Sequence, residues 1–162
     1  MTSQLCLRLA SIAGFLAVLF GAFGAHGLND SGYLETKYAD QEKEIAGQSV
    51  PASYKYLQDF RTGVRYHMWH ALTLFGIGLL MRTNDGRLLR GAAWSILVGM
   101  FLFSGSLYLL VIAGPKFAGV PWGLVAALGG TTLLVGWGLL VTAVFAAQQA
   151  VPPPPDESPD LL

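Results

Sequence analysis

Cysteine is nearly absent: Cys6 is the only one in 162 residues. That excludes an intramolecular disulfide and any multi-cysteine metal site. A lone cysteine near the N-terminus reads most simply as a small apolar residue. Charge is scarce as well, at 12% of residues, against about 25% in an ordinary soluble domain. Ten basic side chains balance ten acidic ones, so no net field draws the chain to nucleic acid. No basic stripe with interleaved aromatics appears either. There is no phosphate-binding loop, no Gly-x-Ser-x-Gly elbow, no His-Glu-x-x-His pair and no Cys-x-x-Cys-His haem attachment motif. No acidic residue lies inside an apolar run, which counts against a proton relay or an ion path.

The chain is instead 53% hydrophobic, and the apolar residues are concentrated in four long stretches. A soluble core could not bury them all and still leave a wettable surface. Spanning a hydrocarbon core about 30 Å thick takes about 20 helical residues. We therefore expect an all-α, integral membrane four-helix bundle, with helices at about residues 7–26, 51–81, 88–113 and 120–147. The second helix is short of apolar residues, but Pro51 suits a helix start. One long helix would then protrude from the membrane before crossing it. A cleaved signal peptide is the competing reading of the first stretch. Against it, Ala10, Gly14, Ala17, Gly21 and Gly24 make small-residue spacings that suit close helix packing in lipid. Gly63, Gly129, Gly130 and Gly136 suggest similar contacts on the other helices.

A polar, partly helical loop fills residues 27–50. Its charges alternate in sign, and Glu35 to Ala46 reads as a solvated helix or an ordered loop. Residues 1–150 make up the transmembrane domain. Residues 151–162 form a Pro-rich acidic tail expected to be extended and disordered. Four crossings put both termini and the Arg82–Arg90 turn on one side. A bare count of Lys and Arg favours the other side as cytoplasmic, whereas three arginines on one tight turn favour this one. We take the second argument and place the termini in the cytoplasm.

His26, His67 and His70 are the only histidines, and the helix order puts all three near the long-loop side. Tyr56, Phe60, Gly63, His67, His70 and Leu74 share one face of the second long helix at heptad-like spacing. On the third, Trp94, Leu97, Phe101, Ser104, Tyr108 and Val111 make a similar stripe. His26, His67, His70, Ser104 and Tyr108 would then converge in the outer half of the bundle, with Thr131 a fourth-helix member. Such a cluster is a hydrogen-bonded packing network, a small-molecule site, or a haem or metal centre drawing on the histidines. No cofactor is expected from these residues.

Four segments resemble, in order, the small bacterial inner-membrane family typified by YgdD and YwdK, which is related to eukaryotic transmembrane protein two-five-six. They are Gly21-Ala22-Phe23-Gly24-Ala25-His26-Gly27-Leu28, Thr62 to Leu72, Leu102 to Tyr108, and Leu128-Gly129-Gly130 followed by Gly136-Trp137. The resemblance implies a four-helix protein with an uncleaved first helix and cytoplasmic termini, and offers no established activity. Ala126-Ala127 stand where the family usually has Thr-Pro, and the first loop and the tail are unusual. The sequence thus points to a non-catalytic accessory or assembly component. Its partners would be the bilayer and, through glycine-rich faces, a second copy or a membrane complex. The alternatives are a small-molecule binder or transporter using the polar cluster, and a haem or metal protein.

Overall fold

A computed structural model describes residues 1–149; the expected tail lies outside the described residues. Thr2 caps the first helix, α1 (Ser3–Ala22), its side-chain oxygen accepting from the Leu5 amide. The helix runs on through a π-helical turn, Phe23–Leu28. A short helix, α2 (Tyr33–Lys37), and a hairpin of β1 (Glu42–Ile45) and β2 (Gln48–Pro51) follow. Then come α3 (Ala52–Leu80), α4 (Arg87–Ile112), a 3-10 turn at Phe117–Gly119, and α5 (Trp122–Gln149).

The long helices form a chain of neighbours: α1 packs on α3, α3 on α4, and α4 on α5. Ser3–Leu28, Arg87–Ile112 and Trp122–Ala147 are each long and apolar enough to cross a bilayer. α3 differs in kind. Its first half carries Lys55, Asp59, Arg61 and Arg65, and its apolar run starts only at Tyr66. At 29 residues and about 1.5 Å per residue it is longer than the hydrocarbon core is thick. Its length and its charged first half fit the expected helix that protrudes before it crosses.

Of the two expected forms, a solvated helix or an ordered loop, the structure shows an ordered loop with little helix. Helix occupies only Tyr33–Lys37, and antiparallel strands take over, with Ile45 opposite Gln48 and Glu42 opposite Pro51. The turn residues Ala46 and Gly47 both have positive φ, 49° and 79°. That is the backbone of a type I′ hairpin turn, whose twist matches that of its strands. The loop is also docked. Buried Tyr38 donates its hydroxyl to the Val111 carbonyl at 2.9 Å. Tyr33 donates to the Ile112 carbonyl at 3.2 Å, and the Lys37 ammonium donates to the same oxygen. The carbonyls that end α4 thus find donors, and a cation meets the negative end of the helix dipole. Burial pushes the Tyr38 phenol up to about 12.

Two apolar clusters make the core. The inner one holds Cys6, Leu74, Ile77, Ala92, Ala93 and Ile96, and the Cys6 thiol donates to the Leu74 carbonyl. The outer one holds Leu28, Leu34, Tyr56, Phe60, Tyr108 and Val111. Missing side chains allow the closest approaches. A Cβ at Gly129 would lie 2.8 Å from the Leu102 carbonyl carbon and closer still to the Phe103 nitrogen. At Gly136 it would lie 3.1 Å from the Ile96 nitrogen, and at Gly99, 2.9 Å from the Leu133 nitrogen. Gly24 faces the Phe60 ring, whereas Gly21 and Gly130 have only ordinary contacts. Gly14, expected at a helix contact, has nothing within 4 Å of its Cβ position.

Candidate functional site

α3 carries the site's centre because its buried face is the sequence stripe: Tyr56, Phe60, Gly63, His67, His70 and Leu74 are all buried. His67 and His70 lie about one turn apart, yet they turn to different neighbours. Nδ1 of His67 shares a hydrogen bond with the Tyr108 hydroxyl at 3.2 Å. Gly63 makes that approach feasible, since a Cβ there would sit 2.9 Å from the Tyr108 ring. Phe20 from α1 covers the pair, its ring centroid 4.6 Å from that of Tyr108.

His70 faces α5. Its Nδ1 lies 2.7 Å from the Tyr66 carbonyl oxygen, and the Trp137 indole N–H donates to its Nε2 at 3.3 Å. A carbonyl needs a donor and an indole needs an acceptor. The two partners together assign His70 the neutral tautomer protonated on Nδ1, with both ring nitrogens engaged. Trp137 was not among the residues read from the sequence as part of the cluster. The available signal was an indole N–H in mid-helix, which needs a partner.

Ser104 is the exception to this pairing. It is 2% exposed, and its hydroxyl oxygen makes no hydrogen bond among the described residues. It lies in a groove of about 350 Å³ between α1, α3 and α4, walled by Leu9, Leu16, Phe20 and Met100, with His67 and Tyr108 on the same lining. At the rim Ile12 and Phe101 are exposed, so the groove opens sideways toward lipid. A buried hydroxyl without a partner costs about 1–3 kcal/mol.

The remaining cluster residues stand apart. His26 sits on the π-helical turn, its side chain 83% exposed, and pairs with Asp30 at 3.2 Å. Hydrogen bonds from Asn29 and then His26 hold the Asp30 carboxyl below its usual range. Thr131 is exposed on α5 and bonds back to the Ala127 carbonyl. The structure therefore brings together His67, Tyr108 and Ser104, places His70 beside them with a separate partner, and leaves His26 and Thr131 outside. The expected α4 stripe holds only from Ser104 onward. Phe101 is 77% exposed and Trp94 is also exposed, while Ala92, Ala93, Ile96 and Gly99 face inward. Lipid makes exposure of a large apolar ring cheap, so the small residues pack inside. No group of three His, Cys, Asp or Glu side chains among the described residues is placed to hold a metal ion.

Residues 20–130 match the family model described as protein of unknown function (DUF423). The chain is 38% identical to UPF0382 membrane protein YwdK of Bacillus subtilis, over 83% of this chain and 91% of that protein. It is 32% identical to UPF0382 membrane protein SAB0533 of Staphylococcus aureus, over 88% of this chain and 96% of the relative. Against UPF0382 inner membrane protein YgdD of Escherichia coli K12 the identity is 30%, over 90% of this chain and 92% of that one. No solved structure matches the chain. These relatives are named for their membrane location and for no activity, and the family resemblance noted in the sequence is the relationship found here. The chain belongs to the DUF423 family of membrane proteins.

Proposed function

We propose that this protein is a non-catalytic membrane protein that binds an amphiphilic small molecule in the groove between α1, α3 and α4. The observation that carries the reading is the Ser104 hydroxyl, which is buried and without a partner on the groove lining. An apolar chain lying along Leu9, Leu16 and Met100 would bring a neutral carbonyl or hydroxyl within its reach. The lining holds no Asp, Glu, Lys or Arg, so a charged group would find no counter-ion there. His67 and Tyr108 satisfy one another and complete the polar end. Catalysis has no support from the lining, where no base lies within hydrogen-bond distance of the Ser104 hydroxyl. In this reading the protein works as an accessory component of the bacterial inner membrane, its termini cytoplasmic and its docked loop outside. The glycines suited to close helix contact, among them Gly99, Gly129 and Gly136, make those contacts within the chain.

The test is purification in mild detergent, solvent extraction and mass spectrometry of the co-purifying amphiphiles. Gly105 lines the groove and has nothing within 4 Å of its Cβ position, so Gly105→Leu directs its added bulk into the groove. The wild type should retain one amphiphile at near-stoichiometric level, Gly105→Leu should lose it, and Ser104→Ala should hold it less. Identical extracts from wild type and Gly105→Leu would refute the assignment.

A further inference from the structure

The first two turns above the groove on α3 carry Arg61 and Arg65, one helical turn apart and both exposed. They border a cleft of about 280 Å³ whose α1 wall is Gly21, Gly24 and Ala25 and whose α3 wall is Phe60 and Val64. It shares no lining residue with the groove around Ser104.

Neither guanidinium has an acidic partner. No carboxylate lies within ion-pair distance of Arg61 or Arg65 among the described residues. The single hydrogen bond from Arg61 goes to the neutral amide oxygen of Asn29, at 3.2 Å. Two acids close in sequence or fold are taken up elsewhere: Asp30 by His26 and Asn29, and Asp59 by Lys55.

Depth matters as much as pairing. Gly63 lies against Leu107 and Tyr108, and α4 continues to Ile112. Arg65, two residues further along α3, therefore sits about 10 Å below the outer end of α4, counting about 1.5 Å per residue. Tyr66 and Trp69, both exposed, lie at and just below this level; aromatic rings of this kind mark the boundary between headgroups and hydrocarbon. Val18, one turn deeper on α1, is exposed to the acyl region. A cation at this depth without a protein partner needs an anion from its surroundings. The cleft beside Gly21 and Ala25 leaves room for one.

We propose that Arg61 and Arg65, with the Gly21–Gly24–Ala25 wall, form a binding site for the phosphate of an anionic phospholipid. Two planar guanidinium groups a turn apart can each present paired N–H donors to phosphate oxygens. The small-residue wall admits the headgroup, and Val18 meets the start of the acyl chain.

The test is native mass spectrometry of the full chain released from nanodiscs of mixed phosphatidylglycerol and phosphatidylcholine. The wild type should retain phosphatidylglycerol selectively. Arg61→Gln/Arg65→Gln should lower that selectivity by about thirtyfold, taking two surface-lipid charges together. Gly21→Leu keeps both arginines and fills the cleft, where the nearest atom to a Cβ is Val64 Cγ1 at 3.5 Å. It should lower retention even if the double variant folds poorly. Equal selectivity in wild type and Gly21→Leu would overturn the site. Release of the bound lipid by millimolar inorganic phosphate would overturn the lipid assignment in favour of free phosphate.

Discussion

Replacing Gly129 by alanine tests the packing described above at its tightest point. The added methyl would lie 2.8 Å from the Leu102 carbonyl carbon and from the Phe103 Cα. Unstrained carbon contacts lie near 3.5–4.0 Å, so α4 and α5 must separate by about 1 Å. These atoms and the still nearer Phe103 nitrogen all belong to the backbone, so no rotamer change can relieve them. Overpacking costs about 1–3 kcal/mol, and this site belongs at the upper end or beyond. Alanine returns about 1 kcal/mol of helix propensity relative to glycine. The net expectation is a loss of about 2 kcal/mol, or about thirtyfold in the folding equilibrium. Gly14→Ala is the matched control. It collects the propensity gain with nothing within 4 Å to obstruct it, and should be neutral or stabilising. Titration with a denaturing detergent, followed by helical circular dichroism, measures both. If the two variants shift the midpoint equally, the argument from close backbone approach fails.

Tyr38→Phe removes the donor to the Val111 carbonyl and should cost about 1 kcal/mol. Hydrogen exchange in residues 29–51 should rise as the loop loosens, and an unchanged rate would count against docking through this bond. A phenol held at about 12 in the fold and near 10 in the unfolded chain contributes stability that is intact below about pH 10 and withdraws toward pH 12. The wild type should lose loop protection across that window, and Tyr38→Phe should lack that component of the loss. The His70 tautomer can be read by nitrogen NMR: Nδ1 should carry the proton, and a proton on Nε2 instead would contradict the Trp137 contact. Trp137→Phe should cost about 0.6 kcal/mol, the average for hydrogen bonds between membrane helices. With both His70 nitrogens engaged, the purified protein should show no haem absorption. A Soret band lost in His26→Ala/His70→Ala would revive the cofactor reading.

The long helices were legible because each is announced by an uninterrupted apolar run, and α3 because its stripe repeats over several turns. Its burial matched the stripe since the polar members, His67 and His70, find hydrogen-bond partners within the protein and none among acyl chains. The α4 face was not legible in the same way. Trp94 and Phe101 are as apolar as their neighbours, and hydropathy cannot separate an inward from a lipid-facing ring. Residue size does separate them, as Ala92, Ala93 and Gly99 show. The hairpin was masked by charged residues of good helix propensity, with Ala46-Gly47 as the one local sign of a turn. His26 looked equivalent to the other histidines by depth. The π-helical turn and Asp30 decide its direction, and neither follows from spacing. The docking of Lys37 and Tyr38 joins residues more than seventy positions apart, which no local pattern encodes.

The unevenness of the close contacts bears on the order in which the bundle assembles. α4 and α5 meet backbone to backbone at Gly99, Gly129 and Gly136 and are joined by the short Ala113–Pro121 connection. They can pair as soon as both have entered the bilayer, at little loop-closure cost. α1 and α3 are separated by a polar loop, and that loop reaches its resting place only when the end of α4 exists to receive Tyr38 and Lys37. A helix made late therefore supplies the anchor for the first loop made. Truncation after α3 should leave that loop open to protease even where both of its flanking helices are inserted.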